Sequence, residues 1–296
     1  MGFSSLDDFV SSVTTDGKFN RYDWNKITGG AAYTAGRWYD MAALGGNPPA
    51  ITYSGTALAA QAPTDATHAG MYHGGNVSTD TKHILNIAAM STAATGVPSV
   101  LMLVDLCLYY PGVNMNLATR QTLDNTTTLS RYTNGAGLRS WLRVDATTGA
   151  TAHSVDSGAG TGTEYVDQDG NTAVHPGTIA FTASAITPHI SHSGTAANNY
   201  GPFLPLAAGD YGVRKYNYFK LSAASGTAST ATLCIGKPLA AIPLTTTSIL
   251  SERDLMNQLP SLPQVQDGAC IVPLLYAGAA VAASTNFYGS VETGWS

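Results

Sequence analysis

Residues 100–110 (VLMLVDLCLYY) form an apolar run broken by one charge, Asp105. In an extended chain successive side chains point to opposite faces, so such a run needs cover on both sides. It is too short to span a bilayer as a helix. It therefore predicts a strand buried on both faces, at the centre of a β protein. Asp105 within it requires a partner, because an unpaired buried carboxylate is costly, and Arg131, Arg139 and Arg143 are the candidates.

Further strands are expected at 138–145, 164–168, 171–175, 178–186, 213–222, 230–235, 269–277 and 287–295, where Val, Thr, Tyr and Phe are frequent and Gly or Asn punctuates the runs. Asp169-Gly170 joins two of them as a hairpin turn, a position that favours positive φ. Helices are expected to be short. Ser5 and Asp8 have capping-box spacing, and Leu6, Phe9, Val10 and Val13 follow on one face. A second helix is expected over 79–90, with Ile84, Leu85, Ala88 and Ala89 as its stripe. A late helical turn is expected after Ser251 and Asp254, with Leu255, Met256 and Leu259, stopped by Pro260. Residues 18–50 show no period but many aromatics, and predict an extended arm with Phe19, Tyr22, Trp24, Trp38 and Tyr39 as anchors. The expected fold is mainly β: an antiparallel β-sandwich, jelly-roll-like, with a short N-terminal helix, an extended arm and one or two small helices. Residues 1–50 form the helix and arm, and 51–296 a single β-rich body.

Charge narrows the function. Lys plus Arg number 14 and Asp plus Glu 19, a net charge of −5, and only 11% of residues are charged. That balance disfavours sequence-specific nucleic acid and membrane surfaces as partners. The first thirteen residues lack a basic start and an apolar segment of the secretory kind, so synthesis in the cytoplasm is expected. Cys107, Cys234 and Cys270 each lie in an apolar stretch with no C-x-x-C pair, as buried free thiols do.

No motif for chemistry survives inspection. His73-Gly74-Gly75-Asn76 has the look of an oxyanion loop, but no G-x-S-x-G nucleophile elbow exists, so a glycine turn is the better account. His189 and His192 are three apart between Pro188 and Gly194, which excludes the helical spacing of a metal pair. The run 167–171 (DQDGN) fails as a calcium loop because Tyr165 and Pro176 fall at ligand positions. Phosphate-cradling loops are missing from the sequence. The expectation is a non-enzymatic protein without cofactor or metal.

Several stretches in order along the chain, FSSLDDFVSSVTTDGKFNRYDWNK, HGGNVSTDTKHILN, VLMLVDLCLYYPG, RYTNGAGLR, YGPFLPLAAGDYGVRKY and ERDLMNQLPSLPQVQDGACIVPLLYAG, are together similar to a family of tailed-bacteriophage virion structural proteins. The resemblance spans nearly the whole chain and carries no catalytic motif. It implies a capsid decoration or cement protein, located in the virion and assembled in the host cytoplasm. Its implied partners are the major capsid protein and further copies of itself, as a homo-oligomer such as a trimer. The major shell protein is the alternative, and a tail-associated module binding host glycans is an alternative of another class. The expected interface comprises Leu6, Phe9, Val10, Val13, Phe19, Tyr22, Trp24, Trp38 and Tyr39, so deletion of 1–40 should leave the β body folded.

Overall fold

The computed structural model describes residues 3, 5–193, 201–258 and 262–296. Along the chain the helices are α1 (Leu6–Thr14), α2 (Asp65–His68) and α3 (Leu255–Gln258). The strands are β1 (Phe19–Ile27), β2 (Arg37–Asp40), β3 (Gly46–Asn47), β4 (Lys82–Ser91), β5 (Ser99–Asn114), β6 (Gln121–Thr122), β7 (Arg139–Val144), β8 (Ser154–Val155) and β9 (Glu164–Asp167). There follow β10 (Thr172–Val174), β11 (Ile179–Ala180), β12 (Val213–Phe219), β13 (Thr230–Leu244), β14 (Ser251–Asp254), β15 (Gln264–Val265), β16 (Ile271–Ala277) and β17 (Asn286–Trp295).

The apolar run lies in β5, the middle of a five-stranded antiparallel sheet ordered β2-β16-β5-β13-β7. Leu101 and Leu103 enter a core shared with the six-stranded sheet β14-β4-β17-β1-β3, whose β4 also pairs with β15. Val104 and Leu106 enter a second core with Trp38, Trp141 and Val272. Farther along, Leu108 and Tyr110 join Tyr165, Tyr216 and Phe219 of the four-stranded sheet β10-β9-β12-β6. Thus β5 is covered on both faces along most of its length, as its sequence demands, and each fully buried leucine there contributes about 1.5–3 kcal/mol. The fold is mainly β, with antiparallel sheets packed as a sandwich and one short N-terminal helix.

Strands expected at 138–145, 164–168, 171–175, 213–222, 269–277 and 287–295 are found as β7, β9, β10, β12, β16 and β17. That expected at 230–235 continues through Pro238 and Pro243 to the end of β13, and that at 178–186 shrinks to β11. The β9–β10 turn takes residues 168–170, with Gly170 at φ +90° and the Asp167 carboxylate accepting from the N–H groups of Asp169 and Asn171, both at 2.8 Å.

Three expectations are corrected. The helix expected over 79–90 is strand β4, paired with β17 on one edge and with β14 and β15 on the other. Ala88 and Ala89 favour a helix, but pairing on both edges overrides that weak preference. The extended arm is also corrected: β1 pairs with β17 along its whole length, from Phe19 opposite Gly294 to Ile27 opposite Asn286, and β2 pairs with β16. Residues 19–50 are therefore woven into both large sheets, and residue 50 marks no boundary between an arm and a body. Finally, the late turn starts from Asp254, whose Oδ1 accepts from Met256 N–H at 2.9 Å, while Ser251 belongs to β14. Leu259 and Pro260 lie outside the described residues.

Candidate functional site

α1 forms where the capping spacing places it, with Asp8 N–H donating to Ser5 Oγ at 3.0 Å. Leu6 opens the helix, which packs on β17 and β1. Phe9 is half-buried against the edge of Phe3, with ring centres 5.0 Å apart, and Phe3 in turn meets the His83 ring. Val13 is half-buried, whereas Val10 is 47% exposed. On β1 the odd-numbered side chains face solvent and include Phe19, 38% exposed, together with the ion pairs of Arg21 to Asp23 and Glu292. Tyr22, on the opposite row, is half-buried and donates to Asn47 Oδ1 at 2.8 Å.

Trp24, Trp38 and Tyr39 are buried, which corrects their assignment as surface anchors. Trp24 lies against Gly289 of β17, where a Cβ would come within 2.5 Å of the indole. Trp38 packs on Tyr276, with ring centres 5.5 Å apart. Tyr39 stacks on Tyr33 at 3.9 Å and accepts from Thr34 N–H at 2.7 Å. These rings complete the chain's own cores.

The expected interface thus reduces to α1 and the outer end of β1. The fold adds apolar surface that the sequence reading missed: Ile249 and Leu250 are adjacent and more than half exposed in the β13–β14 turn, and Tyr211 is 57% exposed. A turn-rich run with two adjacent aliphatics (TTTSIL, 245–250) was the available signal.

Each motif weighed for chemistry has a structural role. Lys82 Nζ donates to Gly75 O and lies 2.8 Å from His73 Nδ1, so the neutral ring carries its proton on Nε2 and donates to Ala269 O at 3.1 Å. Burial, then the Lys82 charge, holds the His73 pKa below its usual value. His73 is buried, Gly74 and Gly75 are half-buried and Asn76 is exposed, so the loop's role is to hold the Lys82 ammonium beside the His73 ring. His189 and His192 are fully buried, and burial lowers both to about 3. Asp105 receives a bidentate pair from Arg131, with Nε–Oδ2 at 2.8 Å and Nη2–Oδ1 at 2.6 Å, and Cys270 N–H donates to Oδ1 at 2.9 Å. A second buried acid, Asp40, accepts from Tyr53 Oη at 2.7 Å and faces Arg143 Nε at 3.6 Å. All three cysteines are buried free thiols.

Lys26 was not foreseen. It belongs to the buried row of β1, and its ammonium donates to the carbonyls of Pro48 at 2.8 Å, Leu44 at 3.1 Å and Ala42 at 3.4 Å. Burial lowers its pKa to about 8, and the charge of Asp40 acts the other way.

Among the described residues no group of three or more His, Cys, Asp or Glu side chains is placed to hold a metal ion, and no helix is long and apolar enough to cross a membrane. Comparison with known proteins finds no matching family model, no matching curated protein and no matching solved structure.

Proposed function

We propose that this chain is a non-enzymatic structural protein of a tailed-phage virion, a capsid decoration or cement protein that bridges neighbouring subunits of the head. The observation that carries this reading is exposed apolar surface near the start of the chain, Val10 on α1 and Phe19 at the start of β1, in a fold that exposes further apolar side chains at Tyr211 and Ile249–Leu250. A short helix seated on the rim of a sheet, with an unburied aliphatic, can move onto a neighbour at little expense to the core. A low charge content supports the same reading, because close subunit contact then requires little charge desolvation. The partners are the major capsid protein and further copies of this chain. Contacts of standard size, about 1,600 Å² in total, gain strength through repetition over a symmetric shell.

The shell-protein alternative is the weaker one. It calls for a long spine helix, and the second helix expected over 79–90 is strand β4. The test is location. A cryo-EM map of the phage particle is expected to place symmetric copies on the head, with α1 against a neighbouring subunit. Copies confined to the tail, or a chain absent from the particle, overturn the proposal.

A further inference from the structure

A groove of about 420 Å³ opens between the loop at 127–133 and strands β9 and β12. This volume falls within the range typical of small-ligand sites. Leu108, Leu129 and Val166 line it, and all three are buried, giving the groove an apolar floor. Thr127, Thr128 and Thr133 are exposed along it and bring hydroxyl groups to the rim.

Two cations complete the lining. Arg214 is held in place by backbone carbonyls: Nε donates to Asn134 O at 3.1 Å and Nη2 to Gln168 O at 2.8 Å. Its Nη1 has no hydrogen bond among the described residues and lies beside Gly170, another lining residue. Lys215, opposite Val166 in the β12–β9 register, has no hydrogen bond or ion pair among the described residues. Every other lysine has one: Lys18, Lys26, Lys82, Lys220 and Lys237 are all engaged.

Nearby carboxylates are occupied by their own turns. Asp167 accepts from Asp169 and Asn171 N–H, Asp124 from Thr126, and Asp169 from Gln168 Nε2. Two adjacent cations, one pre-oriented and one free, therefore face an apolar floor in a chain of net charge −5. A neutral sugar would use neither cation, and a nucleic-acid backbone would need a longer basic track. Pre-orientation of a guanidinium favours a planar or tetrahedral oxyanion.

We propose that this groove binds an organic anion, a carboxylate or phosphate monoester borne on an apolar body such as an aromatic ring. Its oxygens meet Arg214 Nη1, Lys215 Nζ and the threonine hydroxyls, and its apolar body covers Leu108, Leu129 and Val166. The proposal is independent of the chain's place in a particle.

The test titrates the isotope-labelled full chain with benzoate, phenyl phosphate, benzyl alcohol and inorganic phosphate, followed by amide chemical shifts. At least one aromatic anion is expected to saturate, with Kd on the order of millimolar for so small a probe, and with shifts centred on Thr127–Thr133, Val166, Gly170 and Lys215. The preferred anion distinguishes carboxylate from phosphate. Benzyl alcohol and inorganic phosphate are each expected to bind about fivefold more weakly or worse, and K215M to lose about fivefold or more while its spectrum stays that of the folded protein. No saturation by either aromatic anion, equal binding of the alcohol or of inorganic phosphate, unchanged binding by folded K215M, or shifts centred elsewhere overturns the proposal.

Discussion

At position 105 an aspartate stands within the apolar run of β5, held by Arg131 and a backbone N–H. Replacing it with alanine leaves the Arg131 guanidinium buried without its partner. D105A is expected to lose about 3–5 kcal/mol of stability, read from urea unfolding. D105A/R131M should recover part of that loss, because no buried charge then remains unpaired. The buried histidines predict an acid response. His175 is lowered to about 4, and His189 and His192 to about 3, in each case chiefly by burial. Between those values and the unfolded value of about 6.5, the unfolded chain binds more protons, so stability falls as pH falls. Each histidine contributes a slope of up to about 1.4 kcal/mol per pH unit, and the three together about 4 near pH 5. Unfolding midpoints at pH 7, 6 and 5 measure the slope, and H175Q should reduce it by about one proton. Lys26 acts at the other end of the scale. Its pKa is lowered to about 8, so stability should rise with pH between there and the unfolded value of about 10.4.

Among the elements, α1 and β1 are adjacent in sequence but differ in what they carry. Deletion of residues 1–17 removes a helix from the rim of a sheet and is expected to leave the unfolding midpoint nearly unchanged. Deletion of 1–40 removes β1, Trp24 and all of β2, and is expected to abolish folding, contrary to what an arm would give. Circular dichroism and thermal melts of the two truncations distinguish these outcomes. A valine at Gly289 would collide with Trp24, and G289V should cost about 1–3 kcal/mol or more. These contrasts also show what the residues disclosed. β5 was legible because its requirement for burial on both faces is written into successive residues. β17 and the β9–β10 hairpin were legible from strand-forming residues and a glycine turn. β4 was not, because Lys82 is charged yet buried against His73 and Gly75 O, and because Ala88 and Ala89 suit either conformation. β1 was hidden for a related reason: Lys26 falls on its inward row, and only a cage of distant carbonyls makes that placement tolerable. Trp24, Trp38 and Tyr39 were misplaced by the same ambiguity, since a large aromatic fits a core and an interface equally well. The groove beside Arg214 could not be seen at all, because loop 127–133 and strands β9 and β12 meet only in three dimensions.

For the whole molecule, crowding on a shell would raise the hazard of sheet edges joining where they should not. The outer edge of β13 beyond Gly236, where β7 stops, carries Pro238 and Pro243, and edge strand β14 carries Glu252, Arg253 and Asp254. Prolines and charges of this kind block edge-to-edge pairing. If α1 is the attachment point, particles assembled with the 1–17 truncation should incorporate it at least about tenfold less than the full chain, as measured by quantitative gel analysis of purified particles. Full incorporation would remove α1 from the interface and leave the Ile249–Leu250 turn as the next surface to test.

The pairing of β1 with β17 also sets an order of events on the ribosome. β17 is the middle strand of its sheet, and it is made more than 250 residues after β1. At about 5–20 residues per second, Tyr22 and Trp24 wait on the order of tens of seconds before their sheet partners Val291 and Gly289 emerge. During that interval the inward row of β1, with Tyr22 and Trp24, has no β17 to cover it. A ribosome stalled at codon 285 should therefore present residues 19–27 to protease, and the released full-length chain should not.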